Sequence, residues 1–103
     1  MFPRLGWTVA AGICGALDAL TRALAVELAP IRVNAVALGV VRSDLWREMS
    51  EEDRSATYDS LSEALPVGRV GEVSDIADTF LYLMRNGYSS GTIVTVDGGS
   101  VLV

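Results

Sequence analysis

The order of apolar patterns in this 103-residue chain predicts an α/β fold with two parallel strands and three to four helices. Two short runs, Ile31 to Ala37 and Thr92 to Val96, are rich in valine and other β-branched residues, as buried strands are. Helical patterns lie between these runs, and a helical crossover of that kind joins parallel strands. Two parallel strands with a helical crossover make up only a fragment of a doubly wound sheet. We therefore expect residues 1–103 to form one incomplete domain.

The first helix is expected from about Val9 to Ala29, after a loose lead-in at Met1 to Trp7. Large apolar residues recur there at spacings of three and four and define one face, formed by Ile13, Leu17, Leu20, Leu24 and Leu28. Pro30 ends the helix, because the residue before a proline avoids the α region.

Further helix signals follow the first strand. Ser43 or Asp44 caps a short helix, and Ser50 with three acidic residues after it starts a second helix that runs to about Leu65. The segment Glu72 to Arg85 predicts an amphipathic helix. Its expected buried stripe consists of Val73, Ile76, Ala77, Phe80, Leu81 and Met84. Gly87 then stops the helix before the second strand.

Composition excludes several kinds of chemistry. The chain has no lysine and no histidine, and all eight cationic side chains are arginines. This excludes a Schiff-base lysine, a histidine general base and a histidine metal ligand, and we expect no metal site. The lone cysteine, Cys14, forms no internal disulfide and suits a reducing cytoplasm, which is the predicted location.

Charge and hydropathy limit the expected partners. The net charge of −5 disfavours nucleic acid and anionic membranes. No apolar run approaches the roughly 18–20 residues that span a bilayer, so we expect no membrane span. Half of the residues are hydrophobic, and we expect part of that surface to face another protein chain.

Two segments carry a resemblance to a known family. They are GALDALTRALAVELAPIRVNAVALGVV, from Gly15 to Val41, and PVGRVGEVSDIADTFLYLMRNGYSSGTIVTVDGG, from Pro66 to Gly99. Together they resemble the C-terminal half of the short-chain dehydrogenase/reductase family. The resemblance implies part of a Rossmann-like doubly wound fold and, by family alone, an NAD(P) cofactor.

The residues that do this family's chemistry are replaced. The family carries a tyrosine that protonates a carbonyl, and a lysine four residues later that holds the nicotinamide ribose. Aligning the chain on GALDALTRALA places the lysine position at Cys14 and the tyrosine position at Ala10. Alanine has no proton to transfer, so we expect no catalytic residue at either position.

A remnant of the family's nicotinamide-side segment follows the first strand. The resemblance places it at Gly39, Val41 and Ser43, with Asn34 before them and Leu38 in place of a proline. The alternative is that Ser43 only caps a helix and Gly39 only allows a close turn. The glycines form no phosphate-binding loop, so we expect no cofactor on the isolated chain.

A substrate pocket is the remaining candidate site. By resemblance, the family's substrate-covering region corresponds to Trp46, Met49, Tyr58 and Leu61. These four residues either line an apolar pocket or cap the core. Arg69 is at a family-like position that more often holds loops together than binds substrate.

Three functions stay open at this point. The favoured one is a truncated, catalytically degenerate relative of these oxidoreductases that acts as a binding or scaffold protein. The others are one half of a split NAD(P)-dependent oxidoreductase, completed by an N-terminal-half chain, and a small cofactor-independent enzyme acting on an apolar metabolite. We also expect a homo-oligomer, a dimer or tetramer, because an open strand edge exposes unpaired backbone groups.

Overall fold

The computed structural model describes residues 6–103 and shows the predicted α/β class. Most of the predicted lead-in, residues 1–5, lies outside the described part. The three α-helices are α1 (Thr8–Glu27), α2 (Glu51–Ala64) and α3 (Val73–Arg85), and the two strands are β1 (Ala35–Leu38) and β2 (Ile93–Val96). Two 3-10 helical turns, Asp44–Trp46 and Ser100–Leu102, complete the described elements. The second turn has no counterpart in the sequence-based expectations.

The strands β1 and β2 are parallel, as predicted, with Ala35 opposite Ile93 and Leu38 opposite Val96. Both are shorter than the runs that predicted them, since only the residues in register pair. The expectation of a first strand buried on both faces is wrong. Ala35, Val36 and Ala37 are half-buried, and Leu38 is exposed. The elements packed most closely around β1 are β2 beside it and α3 against both strands, which leaves part of β1 uncovered.

Two polar side chains hold the amino ends of the strands together. The Asn34 amide donates to the Ser89 carbonyl at 2.9 Å, and its oxygen accepts the Thr92 N–H at 3.2 Å. The Arg32 guanidinium donates to the Leu83 carbonyl at 2.8 Å and so caps the last turn of α3. Both contacts join residues far apart in sequence, so they place α3 and β2 relative to β1.

Helix α1 presents its predicted apolar face to solvent. Val9, Ile13, Leu17 and Leu20 are between 50% and 76% exposed. The side turned toward the rest of the chain is mostly small or polar and consists of Ala11, Cys14, Asp18, Thr21, Leu24 and Ala25. Leu24 is thus the one residue of the predicted apolar face that is partly covered. Small side chains allow close approach, as at Gly91, where an added Cβ would lie 3.4 Å from the Ala25 Cβ.

The predicted buried stripe of α3 is also mostly wrong. Leu83 is the buried residue of this helix, with Ile76 and Thr79 partly covered on the same side. Val73, Phe80, Leu81 and Met84 are exposed. These four apolar side chains of α3 therefore lie outside its buried side and are open to solvent in the described fold.

Helix α1 also meets the length and composition criterion for a membrane span, with a mean hydropathy of 1.6. The expectation that no apolar stretch is long enough is therefore wrong. The criterion is an average over 18 residues that tolerates two charges, so the charged residues Asp18 and Arg22 do not end the stretch. A core helix of a soluble protein meets the same criterion, so one such helix is weak evidence for a membrane.

An ion pair holds the loop before α3 against the first turn of that helix. Arg69 donates two hydrogen bonds to Asp75, at 2.8 and 3.0 Å, and the Glu72 N–H donates to the same carboxylate at 2.8 Å. These contacts, the Arg69 bond first, lower the pKa of Asp75 from 3.8 to about 2. Asp75 also lies in the first turn of α3, where a negative charge suits the helix dipole.

The end of β1 is fixed by a close backbone approach. At Gly39, an added Cβ would lie 2.7 Å from the Asp97 Cα, which is too short for any real contact. The Gly39 N–H donates to the Val96 carbonyl at 2.9 Å, so this distance is set by the strand pairing itself. Glycine is therefore required here by space, and its φ is not positive.

We expect Gly39→Ala to destabilise the fold by about 1–3 kcal/mol, because the methyl group would force β1 and Asp97 apart. Gly12→Ala is the matched control. Nothing lies within 4 Å of a Cβ at Gly12, and alanine favours the helix by roughly 0.5–1 kcal/mol. Urea unfolding followed by far-ultraviolet circular dichroism measures both changes. Equal midpoints for the two variants would contradict the close-approach argument.

We expect the ionised Asp75 carboxylate to stabilise the folded chain by an amount that changes with pH over one acidic range. Because its pKa is lower in the folded chain than in the unfolded chain, the contribution is full above about pH 4. It is lost as the pH falls through the folded value of about 2. The stability difference between wild type and Asp75→Asn should therefore shrink over this range. Asp78→Asn, on the same helix, is the control substitution, because it leaves the ion pair of Asp75 with Arg69 intact.

Candidate functional site

The carboxyl ends of β1 and β2 meet at one edge of the sheet, which is where parallel α/β folds place their ligands. A cavity of about 170 Å³ opens there between the end of β1, the loop before α3 and the end of β2. Its walls include Val40, Val41, Val67, Ile76 and Val96, and its polar residues are Arg69, Asp75 and Asp97. A second, shallow depression lies on the outer side of α3, away from the strand ends.

The polar groups around this cavity already have partners within the chain. The Asp97 carboxylate accepts from the Gly99 N–H at 2.9 Å, the Ser100 hydroxyl at 3.0 Å and the Val101 N–H at 3.2 Å. Burial raises the pKa of Asp97, but these hydrogen bonds outweigh burial and hold the pKa below its usual value. Arg69 and Asp75 pair with each other. Among the described residues, every buried side-chain nitrogen and oxygen has a partner.

The cavity does not fit a whole dinucleotide. Sites for drug-sized ligands and cofactors occupy roughly 300–1,000 Å³. The space above Gly39, where a glycine could admit a ligand, is filled by the backbone of Asp97. The arrangement instead suits a small apolar group between valine side chains.

The predicted cofactor remnant is only partly assembled at this edge. Val41 lines the cavity and Gly39 lies at the strand end beside Asp97. The Ser43 hydroxyl accepts the Leu45 N–H at 3.4 Å and so caps the 3-10 turn Asp44–Trp46. Asn34 lies at the opposite, amino end of β1, where it joins strand ends.

The two positions that the resemblance assigns to the family's tyrosine and lysine lie one turn apart on α1. Ala10 is exposed, and Cys14 is partly buried on the side of α1 that faces the rest of the chain. No group of three or more histidine, cysteine or acidic residues that could hold a metal occurs among residues 6–103.

The four predicted pocket residues do not line the cavity. The Trp46 indole donates to the Val41 carbonyl at 3.0 Å, and Tyr58 is 5% exposed. Met49 and Leu61 are partly buried. Trp46 therefore holds the 3-10 turn against the segment after β1, and Tyr58 is the buried contact of α2. A pocket formed by all four residues stays a prediction.

Sequence reasoning missed Arg42. Its guanidinium lies 4.5 Å from the centroid of the Tyr58 ring, and its Nε pairs with Glu72 at 3.2 Å. An arginine, a tyrosine and a glutamate at these spacings form no motif. Only the folding of α2 and α3 back toward the end of β1 brings them together.

Comparison with known proteins supports a single family. The family model described as enoyl-(acyl carrier protein) reductase matches residues 6–101. The short-chain dehydrogenase/reductase ATR9 of Stachybotrys chlorohalonatus is 44% identical over 97% of this chain and 39% of its own length.

Solved structures agree with this match. A small-chain dehydrogenase in complex with NADPH is 45% identical, with a TM-score of 0.89, over 94% of this chain and 44% of the other. The MalC reductase/Diels-Alderase of Malbranchea aurantiaca is 31% identical, with a TM-score of 0.89, over 98% of this chain and 39% of the other.

The chain spans about two-fifths of the length of these relatives. A match that includes nearly all of the described residues, at these identities, shows common descent and not only a common fold. The chain therefore belongs to the short-chain dehydrogenase/reductase family and carries a C-terminal portion of its fold.

Proposed function

We propose that this chain is a binding component derived from the short-chain dehydrogenases and that, by itself, it does not reduce carbonyls with NAD(P)H. The observation that carries the proposal is the pair Ala10 and Cys14 at the tyrosine and lysine positions. A positioned proton donor is worth roughly 10²- to 10⁴-fold in rate. Alanine supplies none of that, and Cys14 lies on the side of α1 turned away from solvent.

The remaining features support binding. The cavity at the strand ends has mostly apolar walls, and the polar groups near it are already paired. The exposed apolar faces of α1 and α3 suit contact with another protein chain. We propose a second copy of this chain as that partner, with a complementary N-terminal-half chain as the alternative.

A relative that binds NADPH bears on the cofactor. The small-chain dehydrogenase that matches this chain was solved with NADPH, so the fold portion present here is compatible with a holoenzyme. In the split-enzyme alternative, a second chain would supply the phosphate-binding loop that the glycines of this chain do not form.

A second candidate function has a specific observation in its favour. MalC, which matches 98% of this chain, is named a reductase and Diels-Alderase. A cycloaddition needs a shaped apolar pocket that holds the reacting parts together more than it needs a proton donor. The replacement of the catalytic pair is compatible with such a reaction on an apolar metabolite near Trp46 and Tyr58.

We expect the purified chain to oxidise neither NADH nor NADPH above the rate without protein, across a panel of ketones and aldehydes. The reason is the missing proton donor at position 10. Absorbance at the reduced-nicotinamide band measures the rate, and a full-length active relative serves as the positive control. Turnover that disappears in Ser43→Ala would contradict the proposal and support a working nicotinamide site.

We expect the chain to be a dimer or tetramer held through α1. Covering a leucine or isoleucine side chain fully is worth about 1.5–3 kcal/mol, and five large apolar residues on α1 are at least half exposed. Light scattering of wild type and of Leu17→Asp tests this, with Leu17→Ala as a milder variant and Glu52→Ala on α2 as the control. A monodisperse monomer of the wild type at micromolar concentration would contradict it.

A further inference from the structure

Three elements meet at Arg42. Its backbone N–H donates to the Gly71 carbonyl at 2.9 Å, just before α3. Its guanidinium lies over the ring of Tyr58, in the middle of α2, and its Nε pairs with Glu72, the residue that precedes the first turn of α3. One side chain thus connects the segment after β1 with two helices.

Helix α2 has little else to hold it. Of its fourteen residues, Tyr58 is the buried one. Its side-chain hydrogen bonds stay within the helix, as in Thr57 to the Asp53 carbonyl at 2.9 Å and Ser62 to the Tyr58 carbonyl at 2.7 Å. Among residues 6–103, no ion pair joins α2 to another element.

The contacts of Arg42 lie next to the walls of the cavity. Val41 and Gly71, which line it, directly precede Arg42 and Glu72 in the chain. Val67, another wall residue, follows the end of α2. Val67 is itself fixed to the segment after β2, because its N–H donates to the Gly98 carbonyl at 3.1 Å. Val41 pairs with Gly71, so these walls of the cavity are held independently of α2.

We propose that Arg42 is a positioning residue that clamps α2, through the Tyr58 ring, to the capped start of α3. Release of this clamp lets α2 move as a unit, while the walls of the cavity at the strand ends stay in place. The clamp is a property of the described fold and does not depend on what the chain binds.

Hydrogen–deuterium exchange measured by peptide mass spectrometry tests the clamp. In Arg42→Ala, we expect the amides of α2 to exchange about two- to five-fold faster than in wild type, which is the range for losing an exposed cation–π contact. The amides of β2 and of the last turns of α3 should not change. Arg47→Ala is the matched control, because within residues 6–103 the ion pair of Arg47 is with its exposed neighbour Glu48, at 3.7 Å.

Two substitutions of Tyr58 separate the clamp from general stability. Tyr58→Phe keeps the ring and should exchange like wild type in α2, whereas Tyr58→Leu should match Arg42→Ala. If Arg42→Ala does not fold, the comparison of Tyr58→Phe with Tyr58→Leu still tests the clamp. Unchanged α2 exchange in Arg42→Ala, or a uniform increase over all elements, would overturn the proposal. Faster exchange in Tyr58→Phe equal to that in Tyr58→Leu would overturn it as well.

Discussion

The parallel pairing of β1 with β2 is the constraint on which the rest of the fold depends. Its last pair, Leu38 with Val96, brings Gly39 against Asp97 so closely that no side chain fits between them. The cavity, the Asp97 hydrogen bonds and the loop before α3 all lie at this end of the sheet. At the amino ends of the strands, hydrogen bonds from Arg32 and Asn34 fix the end of α3 and the start of β2 relative to β1. Parallel strands need a long connection, so the segment between β1 and β2 must leave one end of the sheet and return to the other.

The apolar residues of this chain exceed what the described fold covers. Helix α1 places small and polar residues against the rest of the chain, and its large apolar residues face outward. Helix α3 does the same with Phe80 and Met84. Exposed apolar surface is typical of protein–protein contacts, membrane contacts and ligand-binding grooves. The relatives are more than twice as long as this chain.

The family match leaves the activity of this chain a proposal. The match extends over residues 6–101 and so includes all three helices and both strands. At the positions that the resemblance assigns to the family's tyrosine and lysine, Ala10 is exposed and Cys14 is partly covered. One fold hosts many functions, so membership of the family does not by itself give the reaction of this chain.

The sequence by itself determined the α/β class, the parallel pair of strands, the helix bounds to within two residues and the Ser50 cap, because these follow from local periodicity and capping chemistry. The family resemblance also named Gly39 and Val41 as part of a cofactor remnant, and both lie at the carboxyl end of β1. The tertiary structure alone decided which faces of α1 and α3 are covered, because an amphipathic pattern does not say what the apolar face meets. It alone brought Arg42 to Tyr58 and Glu72, and Asp97 to Gly39, since these contacts join residues whose separation along the chain carries no signal.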